Sequence, residues 1–214
     1  LCLSVFWWAK FRKKKGGIKV HTLYDVETQI PAFFHITEAS VHDSKAMNEI
    51  PYESGSYYIF DRAYNNFKML YRIHQIGACF VVRAKKNLQY KPVKWKRRLP
   101  KNVLSDMSIQ LTGFYPKQYY PEPLRLVRYW DEEQKREFVF LTNATHISAL
   151  QVADLYKNRW QVELFFKWLK QHLKIKKFWG ITENAVRIQI YAAICTYCLV
   201  AIIQHDMQLD RSTY

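Results

Sequence analysis

The stretch SALQVADLYKNRWQVELFFKWLKQHL, residues 148–173, has the apolar periodicity of one long amphipathic helix, with Ser148 as its N-cap. At about 100° per residue, four polar side chains fall within an arc of about 60°; they are Tyr156, Arg159, Glu163 and Lys170. Lys167 and Lys174 extend this stripe, and the opposite face is apolar. We therefore predict a helix that docks on a core and presents one carboxylate among cations.

The charge pattern of this helix has two interpretations. One is a solvated face on which Glu163 and Lys167 form a stabilising i,i+4 pair. The other is phosphoryl-transfer chemistry on DNA, in which the carboxylate holds a metal ion and the cations hold phosphates.

Wholly apolar runs upstream predict strands that are buried on both faces, as in an α/β sheet. The run 57–60 stops directly at Asp61, and a second run covers 78–82. Between them, Asn65 is predicted to cap a helix that ends at Gly77. A hairpin and a late apolar helix are also predicted, at 18–26, 30–37 and 183–205.

The chain is strongly basic, with 33 Lys and Arg against 18 Asp and Glu and a net charge of +15. This excess favours nucleic acid as a partner, and the alternative is a basic surface that serves solubility. Lys and Arg cluster in the first part of segment 84–146, which is rich in proline and contains strand-like runs. A further basic run at 10–15 is interpreted either as a DNA-backbone contact or as a solvated loop.

Cysteine usage and hydropathy exclude several other classes. Cys195 and Cys198 form a C-x-x-C pair, but no second pair completes a zinc site. They lie in the apolar run 190–203, which is about 14 residues long and is interpreted as a buried core helix because a membrane span needs about 20. No signal peptide and no disulfide framework is evident, which favours a cytoplasmic protein without a membrane partner.

The spacing Tyr156-x2-Arg159-x3-Glu163-x6-Lys170 resembles the Y-(2)-R-(3)-E-(6)-K pattern of the IS4-type DDE transposases in all four residues and all three gaps. Phe60-Asp61-Arg62 resembles the end of the family's fourth strand, where its second catalytic Asp lies, and 15–43 resembles its second and third strands. The resemblance implies an α/β, RNase H-like fold with a β-rich insertion before the helix that carries the catalytic Glu. The expected parts are 1–83, 84–146 and 147–214.

The resemblance also implies a chemistry and its residues. Asp61 and Glu163 are the expected catalytic residues and metal ligands, for two Mg²⁺ ions about 4 Å apart, with Mn²⁺ as a substitute. The expected DNA contacts are Tyr156, Arg159, Lys170, Lys167 and Arg62, although Arg62 is interpreted equally well as an ion-pair partner. The implied activity is cut-and-paste transposition of an insertion sequence. The implied partners are double-stranded DNA, at the element ends and at the target, and a second copy of the protein in a synaptic dimer.

One departure from the family pattern leaves alternatives open. The family's first catalytic Asp is expected on a strand just before Leu1, and Asp25 and Asp43 lie in the wrong elements to replace it. Both ends are therefore expected to be cuts through a longer protein, and this chain is expected to be inactive by itself. The alternatives are another RNase H-like nuclease and a catalytically dead or domesticated DNA-binding remnant. An RNA-binding protein is less favoured because no RNA-binding motif is present.

Overall fold

The computed structural model describes residues 2–3, 8, 10–12, 15–173, 175 and 178–208, with the backbone alone at 2–3, 10–12 and 15–16. Lys13 and Lys14 of the basic run, and Lys174 of the helix stripe, lie outside the described residues. The chain divides into two compact units. Unit 1 comprises 1–50 and 160–214, and unit 2 comprises Pro51–Arg159. Both combine strands with helices, so the predicted α/β class is confirmed, and the architecture is consistent with an RNase H-like fold.

Unit 1 is a long hairpin with helices packed on it. Its strands are β1 (Cys2–Leu3), β2 (Lys10–Arg12), β3 (Lys15–Asp25) and β4 (Ile30–Glu38), and its helices are α1 (Asp43–Ala46), α5 (Trp160–His172) and α6 (Glu183–Asp206). The antiparallel pairing of β3 with β4 confirms the predicted hairpin. Its core joins Ile18 and Ile36 of the hairpin to Phe165 of α5 and Ile190 of α6.

Unit 2 is built on one six-stranded sheet. Its strands are β5 (Tyr57–Phe60), β6 (Cys79–Arg83), β7 (Tyr90–Trp95), β8 (Val103–Leu111), β9 (Leu124–Asp131) and β10 (Arg136–Thr142). Its helices are α2 (Phe67–Gln75), α3 (Phe114–Tyr119) and α4 (Ala149–Lys157). The sheet order is β5-β6-β10-β9-β8-β7, with β5 and β6 parallel and the other neighbours antiparallel. The strands of segment 84–146 therefore extend the sheet that β5 and β6 begin.

The single helix predicted for 148–173 is wrong, because two helices occupy this stretch. Asn158 and Arg159 separate α4 from α5, and their amides donate i→i+3 hydrogen bonds of 3.2 and 3.1 Å instead of continuing the α-helical ladder. The apolar stripe on either side gives no sign of this tighter turn. The predicted cap is confirmed, since Ser148 and Gln151 form a reciprocal capping box.

The predicted cap of α2 is displaced by one residue. Oδ1 of Asn66 accepts a hydrogen bond from the amide of Met69 and caps the helix. Nδ2 of Asn65 instead donates to the carbonyl oxygens of Arg62, at 2.8 Å, and Arg83, at 2.7 Å. Asn65 is 8% exposed, so its side-chain amide is buried, and its two hydrogen bonds link the turn after β5 to the end of β6.

The interpretation of the late apolar helix as a buried core helix is wrong for one side of α6. Ile190 and Ile194 are buried, whereas Ile188 is 56% and Leu199 60% exposed, and Cys195 is also exposed. An apolar sequence without clear periodicity does not indicate which side is covered. Among the described residues, α6 is the one helix with the length and hydropathy of a membrane span, a test that core helices of globular proteins also pass.

Candidate functional site

Strand β5 places Asp61 at the carboxyl edge of the two parallel strands of unit 2. Tyr58 and Phe60 alternate into the core at 6% exposure each, which fixes the strand face. Asp61 follows in an extended conformation, and its Oδ1 accepts a hydrogen bond of 2.7 Å from the amide of Arg62. The carboxylate therefore caps the short 3₁₀ turn Arg62–Tyr64 and has a fixed orientation.

Tyr156, near the end of α4, contacts the same carboxylate. Its hydroxyl donates a hydrogen bond of 3.2 Å to Oδ1 of Asp61, and its ring lies 5.7 Å from that of Phe138 and 4.7 Å from that of Phe140. Burial, reinforced by the negative charge of Asp61, raises the pKa of Tyr156 to about 12. The phenol therefore stays protonated across the neutral pH range, and its hydroxyl remains a hydrogen-bond donor. Its predicted contact with a phosphate stays a prediction.

The free oxygen of Asp61 has the chemistry of a hard-cation ligand. Both hydrogen bonds that the described residues make to this carboxylate end on Oδ1, which leaves Oδ2 available. Magnesium takes oxygen ligands and few protein carboxylates, so a half-buried, oriented aspartate fits it as one ligand. The described residues contain no cluster of three or more His, Cys, Asp or Glu side chains that could hold a metal by itself.

The predicted arginines of unit 2 flank this pair. Nε of Arg62 donates to the carbonyl oxygen of Ala84 at 3.0 Å, and Arg62 forms no ion pair within the described part of the chain. The guanidinium carbon of Arg159 lies 5.8 Å from the ring centroid of Tyr156. The structure thus brings together Asp61, Arg62, Tyr156 and Arg159 in one unit.

Two further arginines beside this cluster were not predicted. The guanidinium carbons of Arg83 and Arg136 lie 5.0 and 4.4 Å from the ring centroid of Phe138. The available signal was the alternation Arg136-x-Phe138-x-Phe140, which places three side chains on one sheet face. The position of Arg83 depends on the pairing of β6 with β10, which no pattern within either strand's sequence indicates.

The remaining predicted residues lie on one face of α5 in unit 1. Glu163, Lys167 and Lys170 are exposed and line a pocket of about 450 Å³ together with Phe166 and Gln171. The other side of α5 is buried in the core of unit 1. The structure therefore groups Glu163 with the two lysines, and it groups Asp61 with Tyr156 and Arg159. The two groups belong to different units.

Comparisons with known proteins converge on one family. The sequence model of the transposase DDE domain matches residues 5–199. A protein named as a transposase, y4zB, from Sinorhizobium fredii is 37% identical, over 91% of this chain and 56% of its own length. A protein named as the transposase of insertion sequence element IS5377, from Geobacillus stearothermophilus, is 32% identical, over 90% of this chain and 51% of its own length. This chain therefore spans about half the length of the curated relatives it matches.

Proposed function

This chain belongs to the transposase DDE domain family, and from that premise we propose that it is the catalytic region of an insertion-sequence transposase that cuts and rejoins DNA phosphodiesters. The proposed substrate is double-stranded DNA, at the element ends and at the target. We also propose cut-and-paste transposition, a synaptic homodimer and a cytoplasmic location for the whole protein. The division into an RNase H-like part, the β-rich segment 84–146 and the C-terminal helices is proposed with it.

Asp61 and Glu163 are the proposed metal ligands. Bound Mg²⁺, or Mn²⁺ in its place, supplies activation of the attacking oxygen and stabilisation of the leaving oxygen in an in-line displacement at phosphorus. Asp61 contributes Oδ2, because its Oδ1 is held by the amide of Arg62 and the hydroxyl of Tyr156. Glu163 contributes an exposed carboxylate from α5.

The cations beside each carboxylate bind and orient the DNA in this proposal. Lys167 and Lys170 line the same pocket as Glu163, where their ammonium groups attract the phosphate backbone. Arg159 and Arg62 flank Tyr156 and Asp61, and a guanidinium can hold two phosphate oxygens at once. Tyr156 acts as a positioning residue because its hydroxyl restricts the carboxylate of Asp61.

The observation that carries this proposal is the environment of Asp61. A carboxylate at the edge of a parallel strand pair has one oxygen fixed by two donors and the other available. A turn cap needs only the bond from the amide of Arg62, and a buried tyrosine hydroxyl needs only a partner, whereas a metal ligand also needs an oriented carboxylate with one oxygen available, which Asp61 has.

The test is metal-dependent cleavage by the protein extended to the length of its relatives. The substrate is a labelled duplex that carries the element's own ends, and both hydrolysis and strand transfer are measured with Mg²⁺ or Mn²⁺. We expect Asp61→Asn and Glu163→Gln each to abolish both reactions while binding of the duplex persists. Asp154→Asn is the matched control, because Asp154 is an exposed carboxylate on α4 paired with Lys157.

The outcomes separate the alternatives. If the unsubstituted protein cuts and both variants do not, the two carboxylates are catalytic. If hydrolysis occurs without strand transfer, the protein is another kind of nuclease. If all forms bind DNA and none cuts it, the protein is a DNA-binding remnant and the proposed activity is wrong.

A further inference from the structure

We propose that Arg83 and Arg136 form a second phosphate-binding site in unit 2, in which both guanidinium groups stack on Phe138 and bind one backbone phosphate of DNA. The inference rests on the proposed function for its ligand, since DNA is the proposed substrate. It extends that function by assigning a direct DNA contact to strand β10 of the β-rich segment.

The sheet register brings the two arginines to one ring. Arg136, Phe138 and Phe140 alternate along β10 and share one face of the sheet. The antiparallel pairing of β6 with β10 sets Arg83 opposite Phe140. Each guanidinium carbon therefore lies within 5.0 Å of the Phe138 ring centroid, a distance typical of cation–π stacking.

Among the described residues, these two arginines differ from their neighbours in having no carboxylate partner. On the adjacent strand β9, Arg125 is bound to Asp106 and Arg128 to Glu137. Within the described part of the chain, neither Arg83 nor Arg136 forms an ion pair or a side-chain hydrogen bond, and Nε of Arg83 is buried without a partner. The Nη groups of both arginines are therefore not committed to a carboxylate, so an anionic ligand would meet them without first breaking an ion pair.

The geometry favours phosphate oxygens as that ligand. A guanidinium that stacks on an aromatic ring keeps its edge donors available in a fixed plane, and this arrangement suits bidentate binding of phosphate. The ring of Phe138 also contacts that of Tyr156, whose hydroxyl binds Asp61. The arginine pair therefore belongs to the same cluster as the proposed metal ligand, where a phosphate of the substrate strand would pass.

The test is DNA binding without catalysis. Fluorescence anisotropy measures the affinity of the full-length protein for a 20-base-pair mixed-sequence duplex in EDTA, over a series of KCl concentrations. We expect Arg136→Gln and Arg83→Gln each to weaken binding by about fivefold to tenfold at 0.1 M KCl, and to lower the slope of log affinity against log salt by about 0.9. The effect should be the same for duplexes of different sequence, because phosphate contacts carry no base information.

Arg128→Gln is the matched control. Arg128 lies on β9, the strand next to β10, but is already bound to Glu137, and its substitution removes the same formal charge. We expect it to bind within about twofold of the unsubstituted protein, since a paired surface charge releases few counterions. If Arg136→Gln and Arg128→Gln are indistinguishable at every salt concentration, the arginine pair does not bind phosphate.

Two further measurements distinguish a loss of phosphate binding from a loss of folding or of charge alone. Thermal melting identifies a variant that fails to fold, and the exposed Arg136 carries the test if the partly buried Arg83 cannot be replaced. Arg136→Lys keeps the charge but replaces the planar guanidinium with an ammonium group. We therefore expect an affinity between those of the unsubstituted protein and Arg136→Gln, with the full salt slope. Because this assay contains no metal and needs no cleavage, loss of the proposed activity in Asp61→Asn would leave its result unaffected.

Discussion

The hydroxyl of Tyr156 donates a hydrogen bond of 3.2 Å to Oδ1 of Asp61, between residues that lie 95 positions apart in the sequence. The bond joins the end of α4 to the end of β5, so each element restrains the position of the other. It also occupies an oxygen that already accepts the amide of Arg62. Rotation of the Asp61 carboxylate in either direction would therefore break at least one of these hydrogen bonds.

We predict that Tyr156→Phe lowers cleavage without removing any proposed ligand. Loss of the hydroxyl frees the Asp61 carboxylate to rotate, and loss of an outer partner of a metal ligand typically costs about 10- to 100-fold in activity or metal affinity. The free energy of unfolding should fall by about 1 kcal/mol, which is the usual net value of one hydrogen bond. Single-turnover cleavage and urea unfolding measure the two effects. A purely structural role would lower stability without changing the concentration of Mg²⁺ needed for cleavage.

Tyr120→Phe provides the contrasting case. Tyr120 is fully buried, and its hydroxyl has no hydrogen-bond partner among the described residues. Removing a buried, unmet hydroxyl relieves its desolvation penalty, so we expect unchanged or higher stability, by up to about 1 kcal/mol. Urea unfolding of the two Tyr→Phe variants side by side tests the pair. A loss at Tyr120 as large as that at Tyr156 would show that the hydroxyl has a partner, such as a bound water.

Those features of the site that depend on residues close together in the sequence could be predicted from the sequence. An apolar run that ends at Asp61 indicates a strand and the edge on which its carboxylate lies, because strand length and burial depend on adjacent residues. The exposed face that carries Glu163, Lys167 and Lys170 follows in the same way from helical periodicity within α5.

Non-local features could not be predicted from the same pattern. The break at Asn158 and Arg159 changes which carbonyls accept two hydrogen bonds, and it leaves the apolar spacing on both sides intact. The stacking of Arg83 on Phe138 requires the register of β6 against β10, which are separated by three other strands in sequence. The exposed side of α6 likewise depends on what packs against it rather than on its composition.

The buried ion pair of unit 2 should contribute strongly to stability only while both partners are present. Both side chains are at most 5% exposed, and Arg125 binds both oxygens of Asp106 at 2.8 Å. Arg125→Met leaves the buried carboxylate with Lys96 as its one remaining ion-pair partner among the described residues, and we expect it to lower the free energy of unfolding by about 3 kcal/mol. The double variant with Asp106→Leu should recover most of that loss. A double variant as unstable as the single one in urea would contradict this account.

The same pair should give unit 2 an acid-sensitive stability. Burial alone would raise the pKa of Asp106, but hydrogen bonds from Arg125 and Lys96 outweigh it and hold the pKa below its ordinary value. The folded chain therefore binds this proton less tightly than the unfolded chain. The contribution is fully present above about pH 4 and is lost as pH falls through the folded pKa. Urea unfolding between pH 2 and 6 should show a smaller acid loss in Asp106→Asn, and equal losses would contradict the prediction.

Arg125 also reaches the backbone that leads into α4. Its Nη1 donates to the carbonyl oxygens of Ala144, at 3.0 Å, and Ile147, at 2.6 Å, just before Ser148 begins the helix. We predict that the double variant Asp106→Leu with Arg125→Met, though stable, cleaves more slowly, because the helix that carries Tyr156 loses these anchors. The slower cleavage should persist at saturating DNA, and equal rates would show that the capping box of Ser148 suffices.

The pocket beside Glu163 gives the last prediction, which concerns Lys170. This exposed lysine lines the pocket with Glu163 and Lys167, so its ammonium group is available to a phosphate that approaches the carboxylate. We expect Lys170→Gln to weaken duplex binding and to lower the salt slope by about 0.9. Lys45→Gln is the control, because Lys45 is an exposed lysine of the same unit on α1. Equal slopes for the two variants would mean that Lys170 contributes only general surface charge, and the pocket would then lose its assignment as a phosphate-binding surface.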